Sequence, residues 1–339
     1  SNIQVDPADL PFAAQRTEPM TYCYPPQQNM FQFWTNLTID LYGGYFMTPN
    51  GNFTNGDMGE NRGHSGGMYE NYYLHIFNNT RRIIAQCDAS GERGLSGVMR
   101  IVQAYGTLMT TDAYGPIPYS SILSGENEVY FEFDSQKDLY KAMLEDLSTA
   151  ITDISAMGAD EIAKLKSFDC WCNGDKDLWV KIANTMKLRM ALRLSKRETE
   201  AGNAGMNLKA IATEAAQNTL ATVNKDILID KSLENEMWLM FNWGDCGFNA
   251  NLVTIMSGTK DPRQPLYMTL NTGDIKNEAG TTTVAANSQY LGIRFASGLP
   301  AKPNSWGNFS GWIQGNNGSS YSMPLPIMKA AEAYFLLAE

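Results

Sequence analysis

Histidine is nearly missing from this chain of 339 residues: His64 and His75 are the two present. Cysteine is scarce as well, at Cys23, Cys87, Cys170, Cys172 and Cys246. An odd count cannot close a disulfide framework, and no C-x-x-C pair marks a zinc ribbon. Cys170 and Cys172 are too close for an easy bridge and have no companion ligands, so no Cys/His metal site is expected. Free cysteines tend to be buried, and these read as structural. Charge is also thin, at 18% of residues against the roughly one quarter of an ordinary domain. Gly, Asn, Ser and Thr fill the gap, which favours long ordered loops. Lys and Arg number 26 against 36 Asp and Glu, a net charge of −10. A phosphate backbone needs neutralising cations, so nucleic acid is not expected as a partner, nor is an anionic membrane surface. No segment approaches the ~20 apolar residues that span a bilayer. No charged-then-apolar leader opens the chain, and Ser1-Asn2 reads as the scar of a trimmed one. G-x-S-x-G, H-E-x-x-H, P-loop and dinucleotide fingerprints are all missing, so neither catalysis nor a cofactor is expected.

What is present is helical periodicity. With 43% apolar residues the chain can bury a large core. Residues 29–47 carry Phe33, Leu37 and Leu41 at helical spacing, and Gly43-Gly44 should end that helix. Helical pattern resumes from about 68 to 87. A further helix over 92–111 puts Leu95, Val98, Val102, Tyr105 and Leu108 on one face. Ser135 with Asp138 forms a capping box for a helix bearing Leu139, Met143, Leu147, Ala150 and Ile154. The clearest helix is 176–197, with Asp175 as N-cap and Lys196-Arg197 suited to its C-terminal dipole. A shorter one follows at 207–222. Residues 271–322 lose this period, with short strands such as 289–296 possible. Helix returns at 326–339, where Pro326 suits the first turn.

The segment 112-DAYGPIPYSS-121 explains itself locally. Gly115 can take the positive φ that closes a helix, and Pro116 and Pro118 cannot continue it. The result is a rigid extended exit beside which Tyr114 and Tyr119 can pack, their hydroxyls seeking partners.

The spacing D-x-x-G-x-x-P-Y in this segment resembles the SusD/RagB-like outer-membrane lipoproteins of Bacteroidetes-type bacteria. Three further stretches resemble that family in the same order: 179-WVKIANTMKLRMALR-193, 261-DPR-263 and 326-PIMKAAEAYFLLAE-339. The resemblance implies a mainly α fold of tetratricopeptide-like helix pairs with a large loop-rich insert and a few short strands. It implies one domain over 1–339, its helical scaffold at about 29–222 and 326–339 and its ligand region at about 223–325. It further implies a surface protein held to the outer membrane by an N-terminal lipid, with a TonB-dependent transporter as partner. Two departures stand out: no lipidated cysteine opens the chain, and a C-terminal part usual in the family is expected beyond Glu339.

Read from chemistry alone, Arg189 and Arg193 lie one turn apart and should tie helices together, with Glu332 as a candidate partner. Asp261-Pro262-Arg263 reads as a turn with a local ion pair. Ligand candidates are the aromatic side chains on nearly neutral loops. Residues 298–322 hold Trp306, Phe309, Trp312 and Tyr321 beside a lone charge, Lys302. Residues 238–251 hold Trp238, Trp243, Phe248, Asn242 and Asn249. Tyr42, Tyr45 and Phe46 precede Asn50 and Asn52. Flat apolar rings beside amides and hydroxyls match a neutral oligo- or polysaccharide, and Trp243, Asn249, Trp306, Trp312 and Tyr45 are the chosen ligand residues. A peptide ligand is the alternative. A glycoside hydrolase would need two carboxylates roughly 5–9.5 Å apart, for which Glu60 with Asp245 is a candidate pair.

Overall fold

A computed structural model of the chain describes residues 12–25, 28–50, 53, 59–125, 129–229, 243, 245–276, 280–295 and 324–339. The fold is mainly α. Among the described residues the α-helices of eight or more residues are, in chain order, α1 Phe12–Tyr22, α2 Asn78–Ala89, α3 Arg93–Tyr114, α4 Gln136–Ser155, α5 Ala159–Lys166, α6 Lys176–Arg193, α7 Leu208–Ala216, α8 Ala250–Gly258 and α9 Ala330–Ala338. Two π-helices lie at Phe31–Asp40 and Tyr72–Phe77. The chain forms two compact units. The first gathers the described residues of Ser1–Tyr24, Tyr69–Ile229 and Leu325–Glu339, and the second those of Pro25–Met68 and Asp230–Pro324.

The first unit is built around α3. The apolar stripe from Leu95 to Leu108 is buried as expected, and so are Ser96, Gln103, Thr107, Thr110 and Thr111 on its other faces. Helices α2 and α4 both run antiparallel to it. Thr80 Oγ1 donates to Gln103 Oε1 at 2.8 Å, and the hydroxyls of Tyr72 and Thr107 meet at 2.8 Å. Arg100 reaches both ways, 2.7 Å to Asp146 on α4 and 3.0 Å to Asp88 on α2. Gln103, Thr107 and Arg100 thus find partners on neighbouring elements, while Thr110 and Thr111 donate to the Gly106 and Gly115 carbonyls of their own segment, which offsets their desolvation.

Local signals place the helix ends. Ser135 Oγ accepts from the Asp138 amide at 3.2 Å and starts α4, while Asp175 accepts from the amides of Asp177 and Leu178 at 3.0 and 3.3 Å and starts α6. Helix α6 stops at Arg193 and continues as a 3-10 turn over Ser195–Arg197. The helix expected at 207–222 likewise divides into α7 and a 3-10 turn at Leu220–Thr222. Gly115 has φ 76° and ψ −129°, a conformation that closes α3 and that side chains resist. Ile117–Pro118 then pairs antiparallel with Phe133–Asp134. The Tyr114 hydroxyl accepts from the Tyr69 amide at 3.2 Å, and that of Tyr119 accepts from Gln103 Nε2 at 3.0 Å. All five cysteines are free thiols, four of them buried.

Three expectations are corrected. Pro326 does not open the last helix: it lies in the strand Leu325–Met328, paired with Ile227–Ile229, and α9 begins at Ala330. Its first turn is capped from far away, the Ala330 amide donating to Asp226 Oδ1 at 2.8 Å. The helix read over 29–47 is π-helical at Phe31–Asp40, where Thr38 Oγ1 donates to the Phe33 carbonyl at 2.7 Å, and it ends at Gly43-Gly44 as read. The stretch 289–296 forms no strand among its described residues, and Ile293 makes one isolated bridge.

Both arginines of α6 are structural. Arg189, nearly buried, holds Glu332 of α9 with two parallel bonds of 2.5 and 2.6 Å, and Arg193 pairs with Asp112 at the end of α3. Asp261 and Arg263 form the expected local pair at the surface, Arg263 exposed and Asp261 partly covered. Removing Arg189 leaves Glu332 without its fork. Arg189→Ala is expected to lower the melting temperature, with a loss of about 2 kcal/mol. Arg263→Ala should leave it unchanged, and differential scanning calorimetry of the two variants checks the contrast.

Candidate functional site

The second unit carries the described aromatic candidates. Its frame is a short antiparallel ribbon, Phe46 opposite Phe248 and Met47 opposite Gly247. A third stretch joins it: the Ile293 amide donates to the Phe248 carbonyl and the Ala250 amide to that of Ile293, both at 2.8 Å. This crossing needs glycine at 292, because a Cβ there would stand 2.5 Å from Ala250 Cα. Leu41, Met47 and Ile293 pack beneath as a small core, with Phe295 against it.

The π-helix leads straight into the exposed rings. Its outer side shows Ile39, followed by Tyr42 and by Tyr45, the most open of the three at 56%. The Tyr45 ring lies over Gly43, where a Cβ would meet its edge at 3.0 Å. Tyr42 donates its hydroxyl to the Gly59 carbonyl at 3.1 Å, so its ring is oriented from the rim. Trp243 is half-buried. These side chains offer flat apolar faces beside backbone and amide polarity.

The inner side of the same helix is polar. Gln32, Asn36 and Asp40 recur every four residues, which aligns them on one stripe. Gln32 Nε2 and Asn50 Nδ2 donate to the two oxygens of Asp245 at 3.0 and 2.9 Å. Asn36 Nδ2 reaches Cys246 Sγ at 2.9 Å. Burial pushes the Cys246 thiol well above its ordinary range, with the carboxylates of Asp40 and Asp245 adding to the shift, and raises Asp40 from 3.8 to about 7. Nearby, His64 stacks on Phe33 at 4.4 Å and meets Phe53 edge-on at 5.6 Å; burial lowers its pKa. Sequence reading missed this layer, although the four-residue spacing of Gln32, Asn36 and Asp40 was its visible trace.

The chosen ligand residues are divided by the fold. Tyr45 is open and Trp243 partly so, while Trp306 and Trp312 lie outside the described residues. Asn249 is 1% exposed and N-caps α8, accepting from the Asn251 amide at 2.8 Å, so its side chain serves the fold. Phe248 is buried where the ribbon turns it inward, and Asn50 is buried with its amide on Asp245. The carboxylate pair Glu60 and Asp245 does not suit hydrolysis: Asp245 is 5% exposed with amides on both oxygens, and Glu60 pairs with Arg62 on the surface. Among the described residues no group of three or more His, Cys, Asp or Glu side chains could hold a metal ion, and no helix is long and apolar enough to cross a membrane.

Comparison with known proteins gives the class first. Residues 12–339 match the family model SusD-like, described as Susd and RagB outer membrane lipoprotein. A SusD-like protein of Bacteroides thetaiotaomicron is 25% identical with a TM-score of 0.72. A SusD homologue of Bacteroides vulgatus is 22% identical with a TM-score of 0.74. A chitin-binding SusD homologue of Flavobacterium johnsoniae is 22% identical with a TM-score of 0.76. In each case 96% of this chain and 64% of the other are covered, so the chain spans somewhat under two thirds of their length. No curated protein matches it by sequence. The chain belongs to the SusD-like family of outer membrane lipoproteins.

Asp40 gives the second unit a pH dependence of known sign. With its pKa raised from 3.8 to about 7, the folded chain keeps a proton that the unfolded chain has released between those values. The contribution is full below the unfolded pKa, falls as pH rises through that window and is lost above about 7. Thermal unfolding of the parent and of Asp40→Asn from pH 4 to 8 tests this. The difference in melting temperature should grow with pH in favour of the variant and level off above 7.

Proposed function

We propose that this protein captures a neutral glycan at the cell surface and passes it to a partner TonB-dependent transporter, itself held to the outer membrane by an N-terminal lipid. The observation that carries this is the platform of the second unit. Tyr45 spreads over Gly43 beside Tyr42, whose hydroxyl is fixed to Gly59. Aromatic faces with fixed polar neighbours suit the C–H faces and hydroxyl fringe of a sugar ring. The likeness to a SusD homologue called chitin-binding supports the same ligand class. In this proposal 1–339 acts as a single domain. Its helical scaffold is about 29–222 and 326–339, organised as tetratricopeptide-like pairs, and about 223–325 supplies ligand contacts through Trp243, Trp306 and Trp312 in addition to Tyr45. Asn249 contributes by holding the start of α8. The protein binds without turnover.

The test is intrinsic tryptophan fluorescence titrated with neutral oligo- and polysaccharides, chitin oligomers included, and with a peptide mixture. A saturable response to a glycan is expected, weakened about three- to tenfold by Tyr45→Ala, Trp306→Ala or Trp312→Ala. Stacking and neutral hydrogen bonds are poorly screened, so affinity should hold between low and high salt. A response to peptides alone would replace the ligand, and release of new reducing ends would replace binding with hydrolysis.

A further inference from the structure

Monomeric surfaces scatter their large apolar side chains, and a run of them in one place marks an interaction site. The first unit has such a run. Val129 is 94% exposed, Tyr130 70%, Phe131 37% and Phe133 63%, and Leu123, on the short helix Ser120–Ser124 that Ser121 ties to Glu132, is 47% exposed. The backbone here is secured by other groups: Asp134 accepts from the amides of Tyr119 and Ser120 at 2.9 and 2.8 Å, and Ser121 Oγ donates to the Glu132 carbonyl at 3.0 Å. The stretch is therefore anchored at its Glu132–Asp134 end, with Tyr130 and Phe133 turned to solvent.

Beside it lies a groove of about 690 Å³, which Leu123 and Asp134 themselves line, so ribbon and groove share one surface. Five carboxylates, Asp88, Asp134, Asp138, Glu145 and Asp146, outnumber the three cations along the groove. Two of those cations are paired within it, Arg100 with Asp88 and Asp146 and Lys141 with Glu145, and the balance of the lining is two negative charges. Glu132 adds a further acid on the exposed ribbon. The groove is negative while the ribbon is apolar, in a chain of net charge −10.

We propose that the 129–133 ribbon and this groove form one docking surface for a protein segment whose apolar side chains are flanked by lysine or arginine. Exposed aromatic anchors supply the buried centre of an interface, and a rim of one charge selects a partner of the other. The same charge disfavours a second copy of this chain and an anionic lipid surface. The surface stands on observations separate from the glycan platform and does not depend on it.

The test is a random twelve-residue peptide library displayed on phage and selected on the full chain, with a Tyr130→Ser/Phe133→Ser variant as counter-selection. The enriched synthetic peptides are then measured by fluorescence polarisation. Enrichment of aromatic or aliphatic residues beside Lys or Arg is expected. Their affinity should fall about tenfold or more in the double variant and severalfold in Glu145→Lys, and weaken as salt is raised. Circular dichroism confirms that each variant is folded, and Glu145→Lys alters charge without touching the ribbon. Peptides that bind the parent and the double variant equally, or an acidic consensus, overturn the proposal. So does self-association by light scattering that the double variant abolishes, or binding to phosphatidylcholine–phosphatidylglycerol vesicles that it abolishes.

Discussion

The burial of α3 on nearly every side is the constraint from which the first unit follows. A helix enclosed in this way needs neighbours close enough to exclude water, and two of its glycines set that distance. At Gly97 a methyl group would stand 3.0 Å from Ile154 and 3.2 Å from Ala150 of α4, and at Gly106 one would stand 2.8 Å from Ile76. With the helices so close, Thr110 and Thr111 turn back to the Gly106 and Gly115 carbonyls, and other polar groups of α3 are satisfied across the contacts. Arg100 between Asp88 and Asp146, Thr80 on Gln103 and Tyr72 on Thr107 are those contacts. Packing and hydrogen bonding are thus one requirement here, since loosening either exposes the other's cost.

Features set by neighbours in sequence were legible. Ser135 and Asp175 as caps, the Leu95–Leu108 stripe and the Gly115 exit all stand where local chemistry put them. Pro326 shows the limit. A proline ahead of an apolar helical run suits a first turn, but pairing with Ile227–Ile229 draws it into a strand, and the cap of α9 comes from Asp226, 104 residues away. No window around Pro326 contains that information. The π-helix at 31–40 was hidden differently, because its apolar residues satisfy the α-helical period equally well. At the candidate site composition located the aromatic stretches, but exposure depended on pairing. Tyr45 stayed outside, whereas Phe248 and Asn249, equally suited by residue type, were turned inward by the ribbon and by Ile293.

Beneath the platform, the second unit uses carboxylates sparingly. Asp245 has an amide donor on each oxygen, and burial leaves Asp40 protonated up to near neutrality. A carboxylate saturated by amides holds its neighbours in place but has little capacity left to abstract a proton. The layer under Tyr42 and Tyr45 therefore behaves as a stiff polar support.

The first unit is interrupted twice, and both interruptions close on themselves. The chain leaves after Tyr24 and returns at Tyr69, where Asn71 Nδ2 donates to the Tyr22 carbonyl at 3.0 Å. It leaves again after Ile229 and returns at Leu325, and those two residues face each other in one ladder. Each excursion thus starts and finishes at adjoining points fixed by helices or strands of the first unit. Loop-closure entropy grows only with the logarithm of length once the ends are held together. The two excursions, joined to each other by the Phe46–Phe248 pairing and by Gln32 and Asn50 on Asp245, can therefore change in length together at small cost to the helical scaffold. The arrangement is that of a chassis carrying one cassette made of two parts of the chain, which can change while the helical frame stays the same.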